Sequence, residues 1–479
     1  MSIRTFVGRK RELSRLNEFL DKRSASLIAI KGRRRIGKSR LIEEFAKNMQ
    51  FYSFVGLAPK QGMTAQMQRD EFARKLESYF GIRGIKGDDW GDLFSLLANQ
   101  TQKGRIIIAL DEVSWMGRGD PTFLSKLRNA WDTEFKKNPK IIFFLCSSIS
   151  SWLEKNILAS TGFLGRISLT LTLDELPLDA CDALLAARGF AGTSHEKLKV
   201  LSVTGGIPWY LEQVQDNDHA DRFIARSCFS QGGVLVDDFD RIFHDLFHRQ
   251  NTIYKKIVEL LALGALDFNV LCERLGYHKS GKISGYLKDL VEAGFVHRDY
   301  TWALKSGQES RLSAYRLSDN YVRFYLKYIE SNKHKIALNR FEDVSMSSLP
   351  GWNSLMGLQF ENLVLKNRHY ILENLKIKNE DIVADNPFFQ RKTQVQKGCQ
   401  IDYLIQTKAN SLFACEIKFS KNTLNKSVID EVDEKLSRLT LPRNFTCFPV
   451  LIHASSVPQS VEDSEYFKKI IDFSEFLTG

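Results

Sequence analysis

The segment GRRRIGKS at 32–39 constrains this chain more than any other. It fits the pattern G-x-x-x-x-G-K-[ST] and lies between an apolar run, SLIAIK, and an amphipathic one, SRLIEEFAKNM. A glycine turn that leaves a strand and opens a helix aims successive backbone N–H groups, and the positive end of the helix dipole, at one point. Phosphate oxygens fit there. In that reading Gly32 and Gly37 shape the loop, and Arg33, Arg34, Arg35 and Ile36 carry its backbone. Lys38 reaches the β- and γ-phosphate oxygens, Ser39 ligates Mg²⁺, and Arg40 follows on the helix. The expected cofactors are ATP and Mg²⁺.

Such a loop requires a parallel sheet, and the first third of the chain supplies the strands. Short apolar runs at 27–30, 52–55, 105–110, 141–147 and 167–171 alternate with amphipathic stretches, the rhythm of strands covered by helices on both faces. The third run, in IIIALDEVSW, ends in Asp111 and Glu112, which places two carboxylates at the sheet edge where the phosphate loop also stands. Asp111 is expected in the Mg²⁺ shell, and Glu112 is expected to orient and polarise the attacking water; a solvated turn is the plainer alternative. The fourth run, IIFFLCSS, ends in Ser147 and Ser148, which either contact the γ-phosphate and its water or cap the helix begun by SSISSWLEK. Arg166 in TGFLGR is read three ways: a sensor of its own nucleotide, an arginine finger to a neighbouring subunit's, or a surface arginine.

These motifs together carry a resemblance. FVGRKREL, GRRRIGKSRLIEEF, ALDEVSW, SSISSWLEKNIL and TGGIPWYLEQV resemble the prokaryotic archaeal-type ATPases of the AAA+/STAND group, which couple such an ATPase to a winged helix and a restriction-endonuclease-like C-terminus. The resemblance implies that Val7, Gly8 and Arg9 lie on the adenine side of the site. It also implies that Gly206 and Pro208 form a lid motif reporting nucleotide state to the rest of the chain. One position departs: Cys146 stands where the family often has glycine before the paired serines.

Beyond the sheet the pattern changes. Residues 174–248 read as a helical lid following the ATPase core at 1–173. Residues 249–332 give three short helices and two alternating segments, FVHRDYTWAL and SRLSAYRLS, the order of a winged helix. Its third helix carries Lys279, Lys282 and Tyr286, and the following segments Arg298 and Arg311, all candidate nucleic-acid contacts. The same stretch also carries Glu273, Asp289, Glu292, Asp299 and Glu309, as a plain protein spacer would.

A connector at 333–350 leads to an α/β domain at 351–479. There QIDYLIQTKANSLFACEIKFS sets Asp402 on one strand and Glu416 and Lys418 on the next. Residues two apart on a strand share a face, so both can confront Asp402 across a hairpin. Asp402 and Glu416 would bind Mg²⁺ and Lys418 would steady or deprotonate the water that attacks a phosphodiester. The arrangement resembles the PD-(D/E)xK nuclease core, with Glu361 in QFENLV as the acidic contribution of the preceding helix. A salt-bridged strand pair on a solvated face is the alternative.

Composition narrows the setting. A chain of 479 residues, 43% of them hydrophobic, exceeds one ordinary core. Its formal net charge of +11 suits an acidic partner such as double-stranded DNA. Seven scattered cysteines without a CxxC pair or a Cys/His cluster point to a reducing compartment and no structural zinc. The N-terminus is charged too early for a secretion signal, and no apolar run approaches the ~20 residues that span a bilayer. The expectation is a cytoplasmic ATPase switch that acts on nucleic acid through a Mg²⁺-dependent nuclease domain and forms an ATP-dependent homo-oligomer or meets a protein partner. The rivals are a STAND-type scaffold with an inactive C-terminal domain and a ring-forming AAA+ remodelling ATPase.

Overall fold

The computed structural model describes residues 6–477 other than 61, 248–250, 278–280, 342–344, 395 and 421. The five segments read from the sequence are distributed over two compact units. The first holds residues 1–175, 242–249 and 288–294, and the second 176–241, 250–287 and 295–479.

The first unit is built on a parallel five-stranded sheet: β1 Ser26–Gly32, β2 Gln50–Val55, β3 Ile106–Asp111, β4 Ile141–Ser147 and β5 Ile167–Leu173, in the order β2-β3-β4-β1-β5. The two strands between β2 and β1 are buried along their whole length, as strands covered on both faces must be. This is why IIIALD and IIFFLCS read as unbroken apolar runs instead of alternating ones. One face is packed with aromatic rings: Phe54 stacks on Phe72 at 4.2 Å between centroids, Trp90 stacks on Phe94 at 5.4 Å, and Phe123 meets Trp90 edge-on at 4.9 Å. Asp89 caps the helix Trp90–Gln100 through the Gly91 N–H, fixing where that aromatic layer begins.

The second unit contains two sheets. β6 Leu266–Asp267, β7 Val296–Trp302 and β8 Glu309–Leu317 form an antiparallel three-stranded sheet in the order β6-β8-β7. The helices Asn251–Ala262, Phe268–Leu275 and Gly281–Glu292 precede β7 in the chain. The sequence reading had only the last two strands; β6, two residues long, is too short to leave a period.

The mixed sheet has β9 Ile382–Gln390, β10 Cys399–Thr407, β11 Ser411–Lys418, β12 Thr446–His453 and β13 Lys469–Asp472 in the order β13-β12-β11-β10-β9. β9, β10 and β11 run antiparallel and β11, β12 and β13 parallel. The helix Ser427–Ser437 makes the crossover from β11 to β12, and Trp352–Lys366 precedes the sheet. Asp299, buried on β7, accepts from Arg316 on β8 at 2.8 and 3.2 Å, and Arg316 also reaches Asn362 of that preceding helix. Within the stretch read as a connector, a helical turn Lys333–Ala337 buries Ile336, and Lys333 pairs with Asp240 and, at 3.6 Å, with Asp237.

Candidate functional site

In the first unit β1 ends at Gly32, and the helix Lys38–Phe45 begins six residues on, after Gly37 has turned the chain at φ 92°. A side chain at Gly32 would have its Cβ 2.5 Å from the Leu173 carbonyl oxygen, so only glycine lets the loop pass the end of β5. Arg35 is also left-handed at φ 70°, a conformation that a bulky residue adopts only where its surroundings impose it. Lys38 is buried, and its ammonium donates to the carbonyls of Gly32 at 3.0 Å and Arg33 at 3.2 Å, which holds a positive charge inside the loop's curve.

The end of β3, separated from β1 by β4, supplies the acids. Ser39 Oγ donates to Asp111 Oδ2, and Asp111, only 9% exposed, caps the next backbone N–H at 3.0 Å. Glu112 leaves the strand at φ 49°. Its Oε2 accepts from the backbone N–H of Ser148 at 3.0 Å and from the Ser148 hydroxyl at 2.8 Å. Ser147 is turned elsewhere: its hydroxyl donates to Ser114 Oγ at 3.0 Å and accepts from the Ile149 N–H at 3.0 Å. The two serines therefore differ. Ser148 fixes the Glu112 carboxylate, whereas Ser147 closes the turn that opens the helix Ser150–Leu153. A hydroxyl and a carboxylate in contact beside an ammonium are hard oxygen donors, a set that fits Mg²⁺ completed by phosphate and water.

Arg9, buried and left-handed at φ 59°, donates to the carbonyls of Ile36 at 3.1 Å and Asp174 at 2.6 Å and pairs with Glu12 at 3.2 Å. It ties the segment of Val7 and Gly8 to the phosphate loop. Arg34 pairs with Asp245, and Arg40 with Glu43 at 3.5 Å. Arg166 forks onto Asp132 at 2.7 and 2.9 Å, an ion pair that raises its own pKa and holds the Asp132 carboxyl below its usual range. Gly206 and Pro208 belong to the second unit, where the Gly206 carbonyl accepts from Leu176 N–H at 2.8 Å and Pro208 opens the helix Pro208–Leu211.

The second unit gathers another acidic pair. Tyr403 on β10 pairs with Cys415 on β11, which sets Asp402 and Glu416 side by side on adjacent strands. Asp402 Oδ2 accepts from the Ile417 N–H at 2.9 Å. Lys418 reaches Glu416 Oε1 at 3.1 Å and Glu431 Oε2 at 2.9 Å. Lys435, from the crossover helix, contacts Glu416 Oε2 and stands 3.6 Å from Asp402 Oδ1. Burial, then the neighbouring Glu416 charge, push the Asp402 carboxyl up to about 7 despite Lys435. Burial likewise raises Glu361, although Arg316 and Arg323 oppose it.

Glu361, Arg316, Arg323, Glu431 and Lys435 line a cavity of about 840 Å³. Two carboxylates suffice for Mg²⁺, which keeps several waters and takes substrate phosphate oxygens. Among the described residues no group of three or more His, Cys, Asp or Glu is placed to hold a metal ion.

The residues singled out beside the three-stranded sheet are scattered in environment. Lys282 and Arg311 are exposed, Tyr286 packs edge-on against Tyr254 at 5.0 Å, and Lys279 lies outside the described residues. Arg298 is half-buried, donating to Ser313 Oγ at 2.9 Å with its guanidinium over the rings of Tyr300 and Tyr315. Sequence reasoning passed over Lys435 and Ser148's hold on Glu112. The only trace of the former was the Glu431/Lys435 spacing, which puts both on one helix face.

Residues 6–214 match the family model of an ATPase domain predominantly from Archaea. An uncharacterized protein of Methanocaldococcus jannaschii is 28% identical over 364 residues, 75% of this chain and 76% of that protein. Among solved structures, the Walker-type ATPase PABY2304 of Pyrococcus abyssi superposes with a TM-score of 0.51 at 18% identity, over 67% of this chain and 96% of that one. The ORC2 protein of Aeropyrum pernix, solved as ADPNP-ADP complexes, gives a TM-score of 0.42 at 15% identity, over 69% and 94%. The likeness to PABY2304 is one of fold. No helix among the described residues is long and apolar enough to cross a membrane.

Proposed function

We propose, from the premise that residues 6–214 are an ATPase domain of the archaeal kind, that the protein is an ATP-hydrolysing switch with a nuclease-like second catalytic centre acting on double-stranded DNA. The observation that carries the ATPase half is the contact of Ser39 with Asp111 beside the buried Lys38 ammonium, with Glu112 held by Ser148 one strand away.

In this reading the loop amides of 32–39 cradle the phosphates, and Lys38 exchanges the Gly32 and Arg33 carbonyls for β- and γ-phosphate oxygens. Ser39 and Asp111 would hold Mg²⁺, which when bound neutralises charge developing on those oxygens. Glu112, its rotamer fixed by Ser148, orients the attacking water and draws on its proton. Arg9 braces the adenine side through the Ile36 and Asp174 carbonyls. Arg166 has the planar fork that suits a phosphate, which it would take by giving up Asp132. Gly206 and Pro208 form the lid motif, and ATP turnover sets the state of the second unit.

There the three helices and three-stranded sheet act as a winged helix, with Lys282 and Arg311 as exposed cations toward DNA phosphates. The mixed sheet and its flanking helices act as a PD-(D/E)xK-like core. Asp402 and Glu416 would hold Mg²⁺, and Glu361 and Lys418 complete the polar wall around it. The neutralised state of that acidic pair favours a second reading, a STAND-type scaffold in which this domain binds without cutting.

One experiment tests both halves: Mg²⁺-dependent ATP turnover of the full chain, with and without double-stranded DNA, while the same DNA is followed for cleavage. DNA-stimulated turnover with nicking that Asp402→Ala abolishes supports the switch and nuclease. Turnover indifferent to DNA, with the DNA intact, replaces it with the scaffold. A stable hexamer stimulated by protein would favour a remodelling ATPase instead.

A further inference from the structure

Two lysines attend the acidic pair of the mixed sheet, and they are not equivalent. Lys418, the lysine two residues after Glu416, divides its ammonium between Glu416 at 3.1 Å and Glu431 at 2.9 Å. Lys435 lies between the pair itself, in contact with Glu416 and 3.6 Å from Asp402. It stands where a small cation bridging the two carboxylates would stand, and its charge supplies part of what such a cation would supply.

Four features make that position one the lysine can leave. Lys435 is 27% exposed, so its route outward is open to water, while Glu416 is 7% exposed and stays fixed in its strand. The route leads into the cavity of about 840 Å³ that Lys435 lines together with Glu431 and Glu434. Glu431 lies one helical turn before Lys435 and is more than half exposed; it already accepts from Lys418, and a swung-out Lys435 ammonium on the same helix face would share it. Asp402 is anchored independently by the Ile417 N–H, so the carboxylates keep their places when the lysine goes.

We propose that Lys435 is the resident cation of the Asp402–Glu416 pair, and that a divalent metal ion takes these carboxylates only by driving the Lys435 ammonium out from between them. The inference rests on the reading of the pair as a metal-binding centre. Metal affinity at this centre is thereby set by an internal competitor, and whatever draws Lys435 into the cavity opens the centre. A DNA phosphate is the acceptor of matching charge, so substrate and metal would enter cooperatively.

The test uses the full chain. Lysines are acylated with an N-hydroxysuccinimide ester with and without Mn²⁺ and read by mass spectrometry, and Mn²⁺ binding is measured by calorimetry on the wild type, Lys435→Met, Lys418→Met and Asp402→Asn. Mn²⁺ should raise acylation of Lys435 several-fold and leave Lys418 unchanged. The Asp402-dependent Mn²⁺ affinity should rise about 10-fold in Lys435→Met and distinctly less in Lys418→Met, because only the former charge lies between both carboxylates. Asp402-dependent binding with unchanged Lys435 acylation and unchanged affinity in Lys435→Met overturns the proposal and leaves the metal-binding reading standing. No Asp402-dependent binding in the wild type or in Lys435→Met overturns that reading as well. The acylation readout needs no variant, so a misfolded Lys435→Met protein does not rescue the proposal.

Discussion

Each unit holds a pair of carboxylates on its sheet, and the two pairs keep opposite company. Asp111 and Glu112 are held by hydroxyls and backbone N–H groups, from Ser39 and Ser148. Asp402 and Glu416 are held chiefly by ammoniums, from Lys418 and Lys435. A neutral donor orients a carboxylate and leaves its charge for an incoming cation, whereas an ammonium consumes that charge. Backbone geometry follows the same division. Glu112 has left its strand in a left-handed conformation that aims it across the sheet edge, while Glu416 remains inside the β11 ladder. In the proposed function the first pair takes a metal ion as it stands, whereas the second must first be released.

The largest expected effect tests the uncompensated pair. Glu112→Gln should cut ATP turnover by about 10³-fold while nucleotide affinity, read by fluorescent-ATP titration, stays within a few fold. Normal turnover would remove the distinction between the pairs. Lys38→Ala should weaken ATP binding by about 100-fold, since a buried ammonium contact with phosphate is lost.

Asp299→Asn comes next and probes the buried ion pair between β7 and β8. Burial alone would raise the Asp299 carboxyl, but Arg316 and His297 more than offset it and hold it well below the carboxylate range. The substitution should cost about 3 to 5 kcal/mol in urea unfolding at neutral pH. Because the folded-state pKa is depressed, this contribution is present above the unfolded value near 4 and shrinks as pH falls below it, so the gap between variant and wild type should narrow there.

The smallest effect is the most specific. Ser148→Ala removes one of the two donors on Glu112 and should lower kcat about 10-fold with KM unchanged, whereas Ser147→Ala, which loses the contacts to Ser114 and the Ile149 turn but none to Glu112, should leave kcat within about 2-fold. Equal effects would mean that Ser148 does not orient the glutamate.

How much was legible follows the range of the signal. The phosphate loop, the acid pair after β3 and the five parallel strands were readable because each is written in consecutive residues: glycine spacing, an unbroken apolar run, a carboxylate at its end. The mixed sheet was half readable. The β10–β11 hairpin is local and gave Asp402, Glu416 and Lys418, while the burial of Asp299 against Arg316 across two strands gave no sign in an alternating, charged segment.

The sequence by itself determined where the glycine loop leaves its strand and which residue types stand at the strand ends, because backbone turns and strand periods are local physics. The tertiary structure alone decided which partners the carboxylates keep. Ser148 reaches Glu112 because β4 lies beside β3 in a parallel sheet, and Lys435 reaches Asp402 because the crossover helix between β11 and β12 returns across the sheet. Charge compensation depends on distance in space, falling off over a few ångströms, and residues 36 and 33 positions apart acquire it only when the chain has folded back on itself.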